Sequence, residues 1–223
     1  MANTNIGGDD IRSRITLRPF RRTDAADIWS YSKNPETTRY TPWRQFNSEE
    51  EVAAYIETYC IPHPYCRSVC IEDRSIGLVI VTPGTRPDEA RRRELGLVVS
   101  PEYWSRGVGT RVVEMVAEES FRIFPEMVRL QAATDVGNIR ARKVLEKNGF
   151  RKDGVMRKYL FHRGEDRDVV FYSLLDSDRR RPAPPEEMWR PLVSLLRLLR
   201  FSFLLNFLCS LCCLLGDSVK PLR

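Results

Sequence analysis

Two glycines, Gly107 and Gly109, lie in the turn 103–110, between an apolar segment and a helical one. Because glycine lacks a Cβ, the backbone N–H groups of such a turn can approach an anion closely. The helix that follows adds N–H groups without intrahelical acceptors and the positive end of its dipole. The turn therefore predicts a binding site for the phosphates of a nucleotide-like ligand, although glycine pairs also occur in ordinary turns.

The segments around this turn predict the elements that would position it. Residues 94–99 have the apolar character of a strand, and residues 110–117 continue the helical spacing of apolar side chains. A further strand is predicted at 127–132 and a further helix at 138–147, which Gly149 ends in a left-handed conformation. The chain thus predicts strand, turn, helix, strand and helix in succession.

The rest of the chain adds two helices and five strands. One helix begins near Ala25, and a capping box of Ser48 and Glu51 starts another, which runs from Glu49 to about Tyr59. Apolar runs predict the remaining strands at 15–18, 68–72, 76–81, 150–157 and 168–174. Seven strands and four helices indicate an α/β (α+β) fold.

Composition limits the class of protein. The 223 residues suffice for one well-buried core and are few for two domains. Hydrophobic residues make up 42% and charged residues 30% of the chain, which excludes a disordered or fully membrane-embedded protein. The net charge of +6 favours anionic ligands, but the arginines are spread along the chain, so nucleic acid is not expected as a partner.

The cysteines are not spaced as a disulfide framework. They form two groups, Cys60, Cys66 and Cys70, and Cys209, Cys212 and Cys213. A reducing, cytoplasmic location is therefore expected. The pair Cys209-x-x-Cys212 has no second pair to complete a zinc site, and its apolar neighbours indicate packing. We therefore expect no metal site.

Four segments of the chain differ in composition. Residues 1–14 have no apolar run and are expected to be a disordered lead-in, whereas 15–175 carry the predicted elements of one domain. Residues 176–188 are a charged, proline-rich linker, and 189–223 form a hydrophobic tail for which a helix is one expectation. One domain with appendages is the organisation that this pattern predicts.

The tail allows more than one interpretation. Its uncharged stretch 201–216 would span about 24 Å as a helix at roughly 1.5 Å per residue, which is short of an approximately 30 Å hydrocarbon core. Membrane association through 189–216, packing on the domain or on a partner, and a segment with no selected role all stay open.

Three stretches together match one known family. They are Thr-Leu-Arg-Pro at 16–19, Gly-Leu-Val-Val-Ser-Pro-Glu-Tyr-Trp-Ser-Arg-Gly-Val-Gly-Thr at 96–110, and Asn-x-x-Ala-x-x-Val-Leu-Glu-Lys-Asn-Gly-Phe at 138–150. Over residues 15–175 the chain resembles the GNAT acyl-CoA N-acetyltransferases, and within them the branch of ribosomal-protein-alanine acetyltransferases. Two motifs at this separation are more specific than a glycine pair alone.

The resemblance implies a mixed sheet of about seven strands with four main helices, splayed between the fourth and fifth strands, with acetyl-CoA in the gap. Leu97, Val98 and Val99 would present backbone groups to the pantetheine arm. Asn138 would contact that arm or position the thioester, or would only cap its own helix. Five residues would hold the pyrophosphate through their N–H groups: Arg106, Gly107, Val108, Gly109 and Thr110.

The reaction that the resemblance implies is attack of a neutral amine on the thioester carbonyl, which requires a proton acceptor for the amine. Glu94 is the candidate base because it lies on the strand beside the gap and could act directly or through water. The alternative is a surface carboxylate paired with Arg92 or Arg93. Asp135 and Glu102 are weaker candidates near loop ends.

The proton donor for the leaving thiolate is not identified. Many family members carry a tyrosine general acid where this chain has Leu145, and the ribosomal branch often has a serine where it has Ala141. The thiolate would therefore leave with a solvent proton, or the acid lies elsewhere. His63 and His162 lie in polar loops or turns and are not expected to be catalytic.

Two classes of function follow from these residues. The first is an acetyl-CoA-dependent N-acetyltransferase acting on a primary amine, either a protein N-terminus or a small molecule. The loops 39–46 and 62–67 would select the acceptor, although the aromatic loop 39–46 could equally pack on the sheet. The alternative, suggested by the missing hydroxyls, is a catalytically lapsed acyl-CoA-binding regulatory module.

Overall fold

The computed structural model describes residues 10–41 and 46–179. Within them the chain forms one seven-stranded sheet with helices on both faces. The strands are β1 (Ile15–Arg18), β2 (Cys66–Ile71), β3 (Arg74–Pro83), β4 (Arg92–Val99), β5 (Arg129–Asp135), β6 (Arg151–His162) and β7 (Glu165–Leu175). The helices are α1 (Ala25–Ser32), α2 (Glu49–Tyr55), α3 (Val108–Ile123), α4 (Ile139–Lys147) and the single turn α5 (Asp176–Arg179).

The strand order is β1-β2-β3-β4-β5-β7-β6. All neighbouring strands are antiparallel except β4 and β5, which are parallel. The chain that joins β4 to β5 contains α3, as a parallel connection requires. The predicted mixed α/β fold, with about seven strands and four main helices, is confirmed.

The parallel pair β4–β5 is joined only at its beginning. Its rungs are Arg92 with Arg129, Arg93 with Leu130, and Glu94 with Gln131. Beyond Glu94, β4 stays paired with β3 as far as Val99, and β5 stays paired with β7 as far as Asp135. The two halves of the sheet therefore diverge, and a gap opens between them. This is the splay that the resemblance implied.

Side chains alternate between two apolar cores on the two faces of the sheet, as the period of a strand requires. Leu95 and Val99 of β4 pack with buried residues of α3, such as Val112 and Val116. The other face is covered by α1 and α2, whose apolar residues pack on β3 at Leu78. These cores hold β4 between the helices that flank the gap.

The ends of the helices follow local chemistry. Asn138 Oδ1 accepts from the Ala141 N–H at 3.1 Å and begins α4, and Gly149, with φ of 80°, lies just after its end. For α2, Ser48 Oγ accepts from the Glu51 N–H at 3.2 Å, as predicted. The Glu51 carboxylate, however, bonds the Asn47 N–H at 2.8 Å, so the reciprocal half of the predicted box is displaced by one residue.

Several boundaries differ from the sequence-based expectation. Helix α2 ends at Tyr55 and continues as the π-helical turn Ile56–Cys60, so helical structure still reaches the expected end. The last two strands are longer than predicted because each pairs with the other along polar residues up to the turn at Arg163. Cross-strand hydrogen bonding thus extends strand structure beyond the apolar pattern.

The ends of the predicted domain also need correction. Ile11–Arg14, expected within a disordered lead-in, form a 3₁₀ turn that the Asp10 side chain caps. Helix α5 lies within the predicted linker, and its Asp178 accepts from the Leu175 N–H at 3.1 Å. Among the described residues no helix is both long and apolar enough to cross a membrane. The hydrophobic tail lies outside them.

Candidate active site

The gap between β4 and β5 contains a cleft with two adjoining parts. The inner chamber has a volume of about 310 Å³ and reaches Leu95, Leu145 and α2. The outer chamber has a volume of about 360 Å³ and reaches the glycine turn and α4. The two chambers share seven lining residues, so they form one continuous cleft: Tyr40, Thr41, Leu97, Val98, Asn138, Ala141 and Val144.

The glycine turn lies at the outer chamber. Ser105 and Gly107 have φ of 60° and 81°, and Gly107 is the N-terminal cap residue of α3. The first backbone bond of the helix runs from the Arg111 N–H to the Gly107 carbonyl at 3.0 Å. The N–H groups of Val108, Gly109 and Thr110 therefore have no acceptor within the helix. Gly107 has no side chain with which to cap them.

The turn residues differ in how they face the cleft. Gly107, Gly109 and Thr110 line the outer chamber. The Val108 side chain is buried in the core, and the Arg106 guanidinium lies 5.7 Å from the ring centre of Tyr103. Neither side chain lines the chamber, and the resemblance predicts that both residues act through their backbone N–H groups.

A group of basic side chains beside the glycine turn was missed at the level of the sequence. Arg140, Lys143 and Lys147 line the outer chamber from one face of α4. The Arg140 guanidinium lies 5.0 Å from the ring centre of Trp104, and Trp104 Nε1 donates to the Val99 carbonyl at 2.7 Å. The i, i+3, i+7 spacing of the three cations was the available signal. They add positive charge where the anion site is predicted.

The part of β4 beyond Glu94 forms one wall of the cleft. Leu97, Val98 and Val99 line the outer chamber, and this stretch pairs with β3 but not with β5. On the side of the gap, the Leu97 N–H and carbonyl and the Val99 N–H have no partner in β5 and are available to an extended ligand, as expected for an added strand, whereas the Val99 carbonyl already accepts from Trp104 Nε1. Asn138 caps α4 and lines both chambers, so its two interpretations are compatible.

Aromatic residues line another part of the cleft. Tyr40, Tyr55 and Tyr59 line the inner chamber, and the rings of Tyr55 and Tyr59 stack with centres 5.1 Å apart. Loss of solvent around Tyr59 raises the pKa of its phenol. Phe46 is buried against α2. The aromatic loop 39–46 thus lines the cleft through Tyr40 and packs in the core through Phe46. Residues 42–45 lie outside the described part.

Hydroxyl groups are placed differently from the family pattern. Ala141 and Leu145 line the inner chamber, so the hydroxyls usual at these positions are absent where a thioester would lie. Thr41 lines both chambers, and its buried Oγ1 has no hydrogen-bond partner among the described residues. Tyr40 is the other hydroxyl-bearing side chain shared by both chambers. Neither was singled out individually from the sequence.

Glu94 lies at the last rung before the strands diverge. Its Oε2 accepts from Gln131 Nε2 at 2.9 Å. Arg92 instead pairs with Glu89 at 2.7 Å, and Arg93 pairs with Glu126 at 3.1 Å. Neither adjacent arginine is therefore paired with Glu94, contrary to the alternative interpretation.

Glu94 lines a third cavity rather than the cleft itself. This side cavity, of about 370 Å³, shares Ile80 and Gly96 with the inner chamber. A Cβ on Gly96 would lie 2.9 Å from Ile80 Cγ2, so a side chain at this position would be overpacked where the two cavities meet. The candidate base is thus separated from the predicted thioester position by the junction at Gly96.

The remaining candidates do not line the cleft. Asp135 accepts from the Gly137 N–H at 2.7 Å, which stabilises a turn. His63 accepts from the Tyr65 N–H at 3.1 Å through Nδ1, and burial lowers its pKa. Glu102 and His162 are not among the lining residues of the cleft or the side cavity. The described residues include no cluster of side chains suited to a metal ion.

Comparison with known proteins identifies the family. The family model described as an acetyltransferase (GNAT) domain matches residues 14–151. The chain belongs to the GNAT acetyltransferase family. A Bacillus subtilis (strain 168) protein named uncharacterized N-acetyltransferase YoaA is 30% identical over 166 residues, which cover 73% of this chain and 93% of that protein. The chain is therefore an N-acetyltransferase, with acetyl-CoA as its co-substrate.

Two further relatives carry more specific names. An Escherichia coli (strain K12) L-amino acid N-acetyltransferase, AaaT, is 25% identical over 154 residues, which cover 62% of this chain and 93% of that protein. The crystal structure of a Vibrio cholerae spermidine N-acetyltransferase in complex with CoA and spermine superposes with a TM-score of 0.64 at 22% identity, covering 74% of this chain and 98% of that one. This structural likeness shows the fold, and membership of the ribosomal branch stays a prediction.

Proposed function

We propose that this GNAT enzyme transfers the acetyl group of acetyl-CoA to a primary amine that enters through the side cavity. The observation that carries the proposal is the junction at Gly96, where the cavity that holds Glu94 meets the cleft beside the glycine turn. A donor site and a carboxylate base would then lie on either side of one opening. Direct transfer requires such a meeting point.

In this proposal acetyl-CoA lies along the cleft. The N–H groups at the start of α3 hold the pyrophosphate, and Lys143 and its basic neighbours on α4 add attraction for phosphate. The pantetheine arm extends along residues 97–99 of β4, where the Leu97 N–H and carbonyl and the Val99 N–H face the gap. Asn138, which lines both chambers, forms a hydrogen bond to the arm near the thioester.

The chemical step is addition of the amine followed by loss of the thiolate. The amine nitrogen forms a bond to the carbonyl carbon, Glu94 accepts the proton that the nitrogen loses, directly or through one water, and the carbon–sulfur bond breaks. Ala141 and Leu145 supply no hydroxyl, so the thiolate takes a proton from water or from another group of the cleft, such as the Tyr40 phenol that lines both chambers. The proton on Glu94 returns to solvent. The products are the acetylated amine and CoA.

The acceptor that we propose is a primary amine, either a small molecule or a protein N-terminus. Relatives are named for amino acids and for spermidine, which share a primary amine and differ in charge. Beside Glu94, the side cavity carries the Glu89–Arg92 ion pair, so the carboxylate that remains available to an ammonium group is Glu94. A single available carboxylate is enough to accept the proton of the reacting nitrogen.

The test is steady-state turnover of acetyl-CoA with a panel of amino acids, peptides and polyamines. Glu94→Gln should lower kcat on the order of a hundredfold, the contribution of one general base, and leave the KM for acetyl-CoA unchanged. Glu102→Gln, which alters an exposed carboxylate outside the cavities, is the matched control. Full activity of Glu94→Gln would reject Glu94 as the base.

The alternative of an acyl-CoA-binding regulatory module without turnover, suggested by the missing hydroxyls at positions 141 and 145, disagrees with the names of the relatives and is tested by the same assay. In that case acetyl-CoA at a hundred times its Kd would still stabilise the fold by roughly 2.7 kcal/mol, but no acceptor would be acetylated. A rise in Tm together with turnover of any acceptor would exclude this candidate.

We further infer a cytoplasmic enzyme whose 189–216 segment determines any membrane association. The support is compositional, since that segment combines a long apolar run with few charges. Fractionation of the full chain and of a chain truncated after Arg179 tests this. An anchor predicts that only the full chain sediments with membranes, and identical soluble distributions would reject it.

A further inference from the structure

A row of polar side chains crosses four strands on one face of the sheet and ends at Glu94. Gln131 Nε2 donates to Glu94 Oε2 at 2.9 Å, and Arg129 Nε lies 3.4 Å from Gln131 Oε1. Arg129 Nη2 donates to Asp153 Oδ2 at 2.6 Å, and Ser173 Oγ donates to Asp153 Oδ1 at 2.8 Å. The row therefore links β4, β5, β6 and β7.

Strand register brings these residues together. Gln131 faces Glu94 at the last rung of the parallel pair and faces Ser173 in the antiparallel pair of β5 with β7. Arg129 and Gln131 are alternate residues of β5, so their side chains share a face. Asp153 occupies a bulge, where the pairing of β6 with β7 passes from Lys152 to Gly154. Such a bulge redirects a side chain.

The row fixes the orientation of the Gln131 amide. A guanidinium only donates hydrogen bonds, so the amide oxygen of Gln131 must face Arg129. Its NH₂ group is then directed to Glu94, which as a carboxylate only accepts. Gln131 is 4% exposed, which leaves its side chain little room to rotate. A flipped amide would place two donors, and two acceptors, against each other.

We propose that Gln131 is a positioning residue that holds the Glu94 carboxylate toward the junction at Gly96, and that the Arg129–Asp153 pair keeps the Gln131 amide in its donating orientation. This inference rests on the proposed function, in which Glu94 is the base. Gln131 itself lines neither chamber of the cleft nor the side cavity, so it acts through Glu94.

A double-mutant cycle tests the inference. Gln131→Met keeps the length of the side chain and removes the donor, and it should lower kcat on the order of tenfold, the effect of losing one hydrogen bond to a charged group, with the KM for acetyl-CoA unchanged. In a Glu94→Gln background the same substitution should change kcat little, because the group on which it acts is gone. A role in folding alone would give the same loss in both backgrounds.

The outcomes separate this inference from the proposed function. If Glu94→Gln lowers kcat and Gln131→Met does not, the positioning role is wrong and the base is retained. If Glu94→Gln has no effect, the proposed base itself is wrong. If Gln131→Met does not fold, Asp153→Asn serves instead, with a kcat decrease of about two- to threefold that disappears in the Glu94→Gln background. An equal decrease in both backgrounds would overturn the inference.

A matched control removes a buried hydrogen bond elsewhere. Ser68 Oγ donates to Ser75 Oγ at 2.8 Å, and both are buried in strands away from the cleft. Ser68→Ala should lower Tm and leave kcat unchanged. A comparable loss of kcat in this variant would mean that general destabilisation, rather than positioning of Glu94, explains the effect of Gln131→Met.

Discussion

The donor end, at the outer chamber, and the acceptor end, at the side cavity, depend on different chemical groups. At the outer chamber, the predicted contacts with the donor are backbone N–H groups that Gly107 and the first turn of α3 expose. At the side cavity, the candidate chemistry depends on the Glu94 carboxylate and on Gln131, a side chain 37 positions away in the chain. If this assignment is right, the donor end should tolerate changes of side chain that leave the backbone in place better than the acceptor end does.

The donor end should depend on backbone conformation at one position. Gly107 has φ of 81°, which costs other residues about 1 kcal/mol or more, and an added Cβ would lie 2.9 Å from Arg12 Cδ. Gly107→Ala should raise the Kd for acetyl-CoA by about tenfold, since it displaces donors to a charged group. Gly164→Ala, at the same φ with nothing within 4 Å of the added Cβ, is the matched control.

For this pair of variants, Tm and Kd should separate. Both should lose stability, and only Gly107→Ala should lose affinity. Equal affinity of the two variants for acetyl-CoA would mean that the glycine turn does not contact the cofactor. The assignment of the donor end would then be wrong.

The junction at Gly96 should affect the acceptor more than the donor. Gly96→Ala introduces a methyl group 2.9 Å from Ile80 Cγ2, and the resulting overpacking of about 1 kcal/mol narrows the opening. We expect kcat/KM for the acceptor to fall about fivefold, with the Kd for acetyl-CoA unchanged. Gly154→Ala, a strand glycine whose added Cβ would meet nothing within 4 Å, should leave kcat/KM unchanged.

The exposed cations of α4 should have the smallest effect. Lys143→Gln removes one charge at the outer chamber and should raise the KM for acetyl-CoA about two- to threefold at low salt, since single exposed charges contribute less than about 1 kcal/mol. The difference should shrink as salt is added, because exposed charges are screened. Lys152→Gln, on β6 away from the cleft, is the control, and an equal effect there would indicate a general charge effect.

The same contrast explains what the sequence predicts well. Gly107, Gly149 and the Asn138 cap act through the backbone within a few residues, so their local pattern carries their structure. The fold class follows from such signals in series. The contact of Gln131 with Glu94 depends instead on the register of a parallel pair, which no local pattern specifies.

The side chains that line the cleft show the same limit of prediction from local sequence. Tyr55 and Tyr59 were expected on a helix, but the face of that helix that meets the cleft is set by the packing of α2 on β3. Arg140, Lys143 and Lys147 share a helical face in sequence, yet only the approach of α4 to the glycine turn places them at the outer chamber. Tertiary contacts therefore determine which exposed residues become lining residues.

Calorimetric titration of acetyl-CoA into the wild type, Glu94→Gln and Gly107→Ala tests the division between donor and acceptor ends most directly. We predict that Glu94→Gln binds acetyl-CoA with the wild-type Kd and that Gly107→Ala binds it about tenfold more weakly. A weaker Kd for Glu94→Gln together with a wild-type Kd for Gly107→Ala would contradict the assignment of the two ends.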